Sequence, residues 1–126
     1  MSPGELLYTK EHEWLRLEGE TGTIGITDHA QKSLGEVVYV ELPKVNDKFD
    51  DGETFGSVES VKAVSELFMP VSGEIVAVNQ ELGEAPEKIN DDPYGQGWMI
   101  RIRLTDRSET GKLISAEEYD EYTKEE

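Results

Sequence analysis

The most informative stretch of the chain is Val58-Glu59-Ser60-Val61-Lys62-Ala63-Val64. A Gly52-Glu53 pair precedes it and Pro70-Val71-Ser72-Gly73 follows, a layout typical of two short strands joined by a tight turn with Lys62 at its tip. A lysine in such a turn is usually only a solvated charge. Here its neighbours Val61 and Ala63 are apolar, and solvation gives no reason for apolar residues at an exposed tip. The pattern favours a lysine that is presented to an enzyme for modification of its ε-amine.

The composition fits one small folded module. The chain has 126 residues, so we expect residues 1–126 to form a single domain, and its 36% hydrophobic residues are grouped in strand-like runs. There is no cysteine, which excludes a disulfide framework, a thiol nucleophile and thiolate metal sites. The two histidines, His12 and His29, belong to no paired-histidine metal motif, so we expect no metal.

The charge is strongly acidic. Twelve basic and 28 acidic residues give a net charge of −16, a field that repels nucleic-acid phosphates and anionic membranes. No apolar run approaches the ~20 residues that span a bilayer, and the first residues carry no signal-peptide pattern. We therefore expect a cytoplasmic protein with neither nucleic acid nor membrane as a partner.

Most of the chain is predicted to be β-strand, with strands near 14–17, 23–27, 35–42 and 53–60. A later half-buried strand is predicted from an alternation with a period of two. The residues on one face are Trp98, Ile100, Ile102 and Leu104, and those on the other, expected on the solvent side, are Met99, Arg101 and Arg103. Residues 47–52 are predicted to form a turn, and residues 81–94 a loop without periodicity.

Two helices are predicted from their caps. Asp28 as N-cap, with Gln31 three residues on and Gly35 as the stop, predicts a short helix near 28–34. Ser115 with Glu118 predicts a C-terminal helix near 116–123, and the flanking pair Ile114 and Tyr119 fits a hydrophobic staple.

Two similar six-residue segments lie on either side of the lysine turn in the sequence. Gly35-Glu36-Val37-Val38-Tyr39-Val40 is followed after the turn by Gly73-Glu74-Ile75-Val76-Ala77-Val78. Two similar strands on either side of a central turn fit two related halves of a sandwich or flattened barrel. We expect Gly73 to be glycine because it adopts a backbone conformation open only to glycine.

The lysine stretch resembles the attachment hairpin of lipoyl and biotinyl carrier domains, and Glu59-Ser60-Val61-Lys62-Ala63 resembles that of the glycine cleavage H-protein family. Biotin carriers usually place methionine on both sides of the lysine, and lipoyl domains of 2-oxo acid dehydrogenases usually place aspartate before it, where this chain has Val61. The resemblance extends over about residues 8–122, through motifs that include His12-Glu13-Trp14, Asp28-His29-Ala30-Gln31, Ile89-Asn90, Asp92-Pro93-Tyr94-Gly95 and Gly97-Trp98-Met99.

The resemblance implies a mainly β fold, a barrel-sandwich hybrid of two small antiparallel sheets. It implies a single lipoyl-carrier domain with the C-terminal helix as an extension. It also implies a shuttle without catalytic activity of its own, with lipoate joined to the ε-amine of Lys62 as an amide.

The implied partners are four enzymes. The shuttle would carry the aminomethyl group of glycine from a pyridoxal-phosphate-dependent glycine decarboxylase to a tetrahydrofolate-dependent aminomethyltransferase. A dihydrolipoamide dehydrogenase would reoxidise it, and a lipoate-attaching enzyme would modify Lys62. The shuttle itself is expected to be a monomer.

Further site residues follow from the resemblance. The neighbours of Lys62 are expected to guide the lipoate-attaching enzyme or to fix the turn: Glu59, Ser60, Val61 and Ala63. A water-excluding cleft for the loaded arm is expected to contain Glu13 and Glu66, with His29 near the same wall. The alternative is that both carboxylates lie on solvated strand faces and that His29 caps or packs the short helix. Some family members have histidine where this chain has Ser33, so no imidazole is expected there.

Three other functions stay open on sequence alone. A relay that passes lipoyl groups to 2-oxo acid dehydrogenases needs the same modified Lys62. An unmodified structural module would leave Lys62 as an ordinary turn residue, and the apolar residues around it argue against that. An enzyme would need a nucleophile, a metal cluster or a phosphate-binding loop, and the sequence has none of these motifs.

Overall fold

The structure is a computed structural model that describes residues 2–124. Within these residues the chain forms strands β1 (Leu7–Tyr8), β2 (Glu13–Glu18), β3 (Thr21–Ile26), β4 (Val37–Glu41), β5 (Lys48–Phe49), β6 (Thr54–Ser60), β7 (Val64–Phe68), β8 (Gly73–Val78) and β9 (Ile100–Leu104). The helices are α1 (Asp28–Leu34), α2 (Lys88–Asp91) and α3 (Ala116–Lys124), and two 3₁₀ helices cover Gln80–Gly83 and Arg107–Lys112. No helix in the described part of the chain is long and apolar enough to span a membrane.

The strands form two antiparallel sheets that enclose the core. One sheet has the order β1-β2-β3-β9-β8-β5 and the other the order β4-β6-β7. Buried aliphatic residues from both sheets make one cluster, in which Ile24, Ile75 and Ile102 face Val58 and Leu67. The predicted two-sheet fold, with helices near 28–34 and 116–123, is confirmed.

The two similar segments predicted around the lysine turn lie in different sheets. Val37–Glu41 is an edge strand of the three-stranded sheet, and Gly73–Val78 lies in the six-stranded sheet. The β6–β7 hairpin that carries Lys62 lies between them in the sequence. The relation of the two segments as halves of the fold stays a prediction.

The period-two prediction holds for β9 but fails one residue before it. Ile100, Ile102 and Leu104 are buried, while Arg101 and Arg103 are exposed. Met99 was expected on the solvent side with the arginines, but it is fully buried. It precedes the regular strand and packs in the core, with its N–H donating to Ile24 O at 2.9 Å.

The first helix begins as predicted, but its N-cap is one residue earlier than expected. Thr27 has an extended backbone, and its hydroxyl accepts the Ala30 N–H at 3.2 Å. Asp28 is the first helical residue and instead accepts from the Gln31 side chain. Gly35 ends the helix with φ 80°, a conformation that favours glycine.

Three other expectations are corrected. Lys48–Phe49, inside the predicted turn, pairs with β8 as a two-residue strand. The predicted loop at 81–94 contains most of one 3₁₀ helix and all of α2. Gly73 does not have a positive φ, so the predicted glycine-only backbone conformation is wrong. A larger residue is excluded by lack of space, because a Cβ there would lie 2.8 Å from Ile102 Cδ1 and 2.9 Å from Arg103 O.

The C-terminal helix packs on a second, aromatic cluster. Ser115 caps α3, since its hydroxyl accepts the Glu118 N–H at 3.2 Å and donates to the Glu118 carboxylate at 3.3 Å. Tyr119 is 1% exposed and stacks on Tyr8 with ring centroids 4.8 Å apart. The rest of this cluster comprises Leu6 and Trp14, with Ile114 packed against it as the staple predicts.

Candidate functional site

Lys62 lies at the tip of the β6–β7 hairpin. The last strand pair is Glu59 with Val64, and the turn is closed by the Ser60 N–H, which donates to Ala63 O at 2.8 Å. Val61 and Lys62 are the two residues at the tip, and both side chains are exposed. The ε-amine of Lys62 is therefore available to a modifying enzyme without any rearrangement of the fold.

The hydroxyl of Ser60 fixes the backbone of this turn. It accepts the Lys62 N–H at 3.3 Å and the Ala63 N–H at 3.1 Å, and it donates to Ala63 O at 3.3 Å. Ser60 itself is only 5% exposed. Of the two roles expected for this residue, the structure thus displays the turn-fixing one.

A neighbouring segment braces the hairpin from the side. The Val61 N–H donates to Glu36 O at 3.1 Å. Gly35 is also close to the lysine, since a Cβ added at Gly35 would lie 3.5 Å from Lys62 Cε. Asn90 holds this segment in place, because its amide nitrogen donates to Gly35 O at 2.8 Å and its amide oxygen accepts the Val37 N–H at 2.9 Å. The sequence pattern gave Asn90 no role.

Exposed apolar side chains surround the lysine. Tyr39, Glu59 and Val64 form one cross-strand row on the three-stranded sheet, and Tyr39 and Val64 are 56% and 68% exposed. Val61 is 70% exposed, and Ala63 is also exposed. An enzyme that grips the hairpin would meet an apolar patch (Tyr39, Val61, Ala63 and Val64) with the Glu59 carboxylate in its middle.

A narrow cleft lies between α1 and the strands. Its volume is about 160 Å³, and it is lined by Glu11, His12, Glu13, Ile26, Ala30, Ser33, Leu34, Val58, Ser65, Glu66 and Leu67. Two of the three residues expected for the arm, Glu13 and Glu66, thus line one cleft. The buried side chains of Ile26, Leu34 and Val58 form an apolar part of this lining.

Glu13 is a buried carboxyl group with a raised pKa. The residue is 2% exposed, so it does not lie on a solvated strand face. Its Oε1 accepts from the Thr9 hydroxyl at 2.6 Å, and its Oε2 accepts the Phe68 N–H at 3.3 Å. Burial raises the pKa of Glu13 to about 7, against the lowering effect of these hydrogen bonds. Glu13 can therefore hold or release a proton near neutral pH.

The other expected cleft residues are placed differently. Glu66 is exposed at the rim, as in the solvated alternative, yet it still lines the cleft. His29 does not line it, and its ring packs against His12 with centroids 4.7 Å apart. His12, which the sequence offered only as part of the His12-Glu13-Trp14 motif, is the histidine at the cleft wall.

A larger cavity is also lined by Glu13. It has a volume of about 470 Å³ and a mainly apolar lining that includes Tyr8, Phe68, Met69 and Leu113. Glu13 is part of the lining of both spaces. Among the described residues, no group of three or more histidine or carboxylate ligands is arranged to hold a metal ion.

The turn geometry leads to a prediction for Ser60→Ala. Loss of the hydroxyl removes the acceptor for two backbone N–H groups, so we expect the free energy of unfolding to fall by about 1–2 kcal/mol. The amides of Lys62 and Ala63 should exchange with solvent faster. Urea unfolding and amide hydrogen exchange check this, with Ser57→Ala on the same strand as control. Unchanged exchange at both amides would show that Ser60 does not fix the turn.

Burial of Glu13 leads to a prediction of pH dependence. Below pH ~4.5 the carboxyl is protonated in both the folded and the unfolded chain, and it contributes no difference. Between pH ~4.5 and ~7 only the folded chain keeps the proton, so the free energy of unfolding falls as pH rises. Above pH ~7 the loss is complete, at about 3 kcal/mol.

Glu13→Gln mimics the protonated group and should lack this loss. We expect the variant to match the parent protein near pH 4 and to be more stable at pH 8. Urea unfolding at both pH values measures the difference. A difference that stays constant with pH would contradict the raised pKa of Glu13.

Known proteins are similar to this chain over most of its length. The chain matches the family described as glycine cleavage H-protein over residues 6–126. It is 58% identical over 117 residues to the glycine cleavage system H protein of Rubrobacter xylanophilus, covering 93% of this chain and 90% of that protein. The corresponding protein of Staphylococcus saprophyticus is 55% identical over 119 residues, with 94% of each chain covered.

A solved structure shows the same fold. The crystal structure of a glycine cleavage system H protein from Mycobacterium marinum superposes with a TM-score of 0.90 at 39% sequence identity. The match covers 97% of this chain and 98% of that one. With nearly the whole length matched in both sequence and fold, the chain belongs to the glycine cleavage H-protein family.

Proposed function

We propose that this chain is the lipoyl-carrying shuttle of a glycine cleavage system, with lipoate attached to Lys62. The observation that carries the proposal is an exposed lysine at the tip of a hairpin whose backbone is fixed by Ser60, in a chain of this family. The proposal includes residues 1–126 as one carrier domain, with α3 as its extension. It also includes a monomeric chain without catalytic activity of its own.

The residues around Lys62 fit such an attachment. Amide formation removes the positive charge of the ε-amine, and because that amine is exposed, no buried carboxylate loses a partner. When bound, lipoate supplies a disulfide that can accept electrons and carry a one-carbon unit. The chain's part is to hold the attachment point in a fixed position, which keeps the arm at high effective concentration near the carrier surface.

The cleft beside the hairpin fits the loaded end of the arm. The cargo from glycine carries an amino group, and an ammonium ion near Glu13 would favour the ionised carboxylate over the protonated form. A charge-assisted hydrogen bond in a site with a partly apolar lining is stronger than one in water. We therefore assign Glu13 as the main contact, Glu66 as a rim carboxylate and His29 as a support that acts through His12.

The proposed partners are those of the pathway: glycine decarboxylase, aminomethyltransferase, dihydrolipoamide dehydrogenase and a lipoate-attaching enzyme. The apolar patch beside Lys62 offers each of them the same surface, with Glu59, Val61 and Ala63 next to the amine. The net charge of −16 would steer the carrier to basic docking surfaces. A cytoplasmic location remains the expectation from the sequence.

Lys62→Arg tests the attachment site. The arginine keeps the positive charge at an exposed tip, so we expect the free energy of unfolding to stay within about 0.5 kcal/mol of the parent value. After incubation with a lipoate-attaching enzyme and lipoate, the parent should gain one lipoyl group and the variant none, as read from intact mass. A lipoylated variant would place the attachment elsewhere, and a large loss of stability would contradict the exposed tip.

Glu13→Gln also tests the cleft in the loaded protein. Without a carboxylate at this position the ammonium loses its charged partner, so we expect the loaded form to decay about 10-fold faster in the absence of the partner enzymes. The rate of ammonia or formaldehyde release gives the lifetime. Glu18→Gln, at the exposed end of β2, is the matched control. Equal lifetimes for parent and Glu13→Gln would remove Glu13 from the cleft assignment.

A further inference from the structure

One buried hydroxyl in the C-terminal helix connects two walls of the cleft. The Tyr119 Oη lies 2.7 Å from His12 Nδ1 and 2.7 Å from Thr27 Oγ1. His12 lines the cleft next to Glu13, and Thr27 caps the helix whose Ala30, Ser33 and Leu34 line the opposite side.

The hydrogen bonds form a continuous chain between these walls. With a neutral His12, the Tyr119 hydroxyl donates to Nδ1 and accepts from the Thr27 hydroxyl, which itself accepts the Ala30 N–H at 3.2 Å. A backbone bond runs parallel to this chain, from the Thr27 N–H to His12 O at 3.0 Å. The first turn of α1 and the start of β2 are thereby held at a fixed separation.

The backbone at His12 needs such support. Its φ is 72°, a left-handed conformation that side-chain-bearing residues rarely adopt and that persists only where the surroundings hold it. Glu13 follows directly, and its N–H donates to Thr9 Oγ1 at 3.2 Å. A change in the backbone at His12 would therefore move the Glu13 carboxyl group.

The position of the hydroxyl is itself well fixed. The Tyr119 ring stacks on Tyr8 at 4.8 Å, and α3 begins at the Ser115 cap only four residues earlier. Tyr119 is 1% exposed, so its hydroxyl meets little competition from solvent. The C-terminal helix thus presents one polar atom at a defined point behind the cleft.

We infer that Tyr119 is a positioning residue for the arm cleft: through its hydroxyl, the C-terminal helix sets the place of His12 and Glu13 relative to α1. The role of the cleft rests on the proposed function, but the positioning itself is a property of the unmodified chain. The C-terminal helix would thus position the cleft residues in addition to packing on the aromatic cluster.

The experiment uses the full-length unmodified protein and the variant Tyr119→Phe, which keeps the ring and removes only the hydroxyl. The carboxyl ¹³C shift of Glu13, followed by NMR from pH 4 to 9, reports its pKa. The titratable groups that line the cleft with Glu13 are Glu11, His12 and Glu66, and the neighbouring cavity that Glu13 also lines adds Lys10, Asp51 and Lys112. We expect the pKa of Glu13 in Tyr119→Phe to move from about 7 towards its ordinary value, because a loosened wall admits water.

Matched variants separate positioning from general loss of stability. Thr123→Ala removes a hydroxyl of the same helix that donates to Asp120 O at 3.1 Å, and it should leave the Glu13 titration unchanged. Thr27→Val removes the other end of the hydrogen-bond chain and should act like Tyr119→Phe, whereas Thr27→Ser should restore parent behaviour. If Glu13 titrates alike in parent, Tyr119→Phe and Thr27→Val, the inference is wrong.

A second readout connects the result to the arm. In the lipoylated and loaded protein, Tyr119→Phe should shorten the lifetime of the loaded form by about fivefold, the effect of one buried hydrogen bond. If the parent shows no protected lifetime, the proposed role of the cleft fails while the Glu13 titration still tests the inference. If the parent is protected and Tyr119→Phe is equally protected, the inference fails and the proposed function stands.

Discussion

The hydrogen bonds of the Ser60 hydroxyl hold the backbone that presents Lys62, and the proposed attachment of lipoate depends on this fixed turn. In the proposed role several enzymes must reach Lys62, so the lysine has to be exposed, yet an exposed turn with few packing contacts would be free to sample many conformations. The structure meets both demands by burying the serine and exposing the lysine. The segment from Gly35 to Val37, held by Asn90, supports the same hairpin from the side.

The cleft contains a buried carboxyl group that is costly to ionise. A carboxyl group buried like Glu13 weakens the fold when it ionises, because desolvation disfavours the charge. The cost of the ionised form falls when a cation comes close, because an opposite charge stabilises the carboxylate. The residue before Glu13, His12, has a φ of 72° and is hydrogen-bonded to the Tyr119 hydroxyl. Local strain and a buried ionisable group at one place are typical of functional sites.

Local patterns in the sequence were enough for the hairpin, for β9 and for both predicted helices, because each depends on neighbours a few residues apart. What they could not give depends on contacts between distant residues. Thr27 and Asp28 are both good caps, and Thr27 also meets Tyr119 across 92 residues. Asn90 bonds to Gly35 across 55 residues, and Gly73 is required by the close approach of β9. Glu13 could be named from the family resemblance, but its burial and its raised pKa required the fold.

The central claim is that Lys62 carries lipoate, and the mass of the protein from its native host tests this most directly. Intact-mass measurement followed by peptide mapping should show one lipoyl group, located on the peptide that contains Lys62. An unmodified Lys62, in cells whose other lipoyl proteins are fully modified, would contradict the account and favour an unmodified structural module.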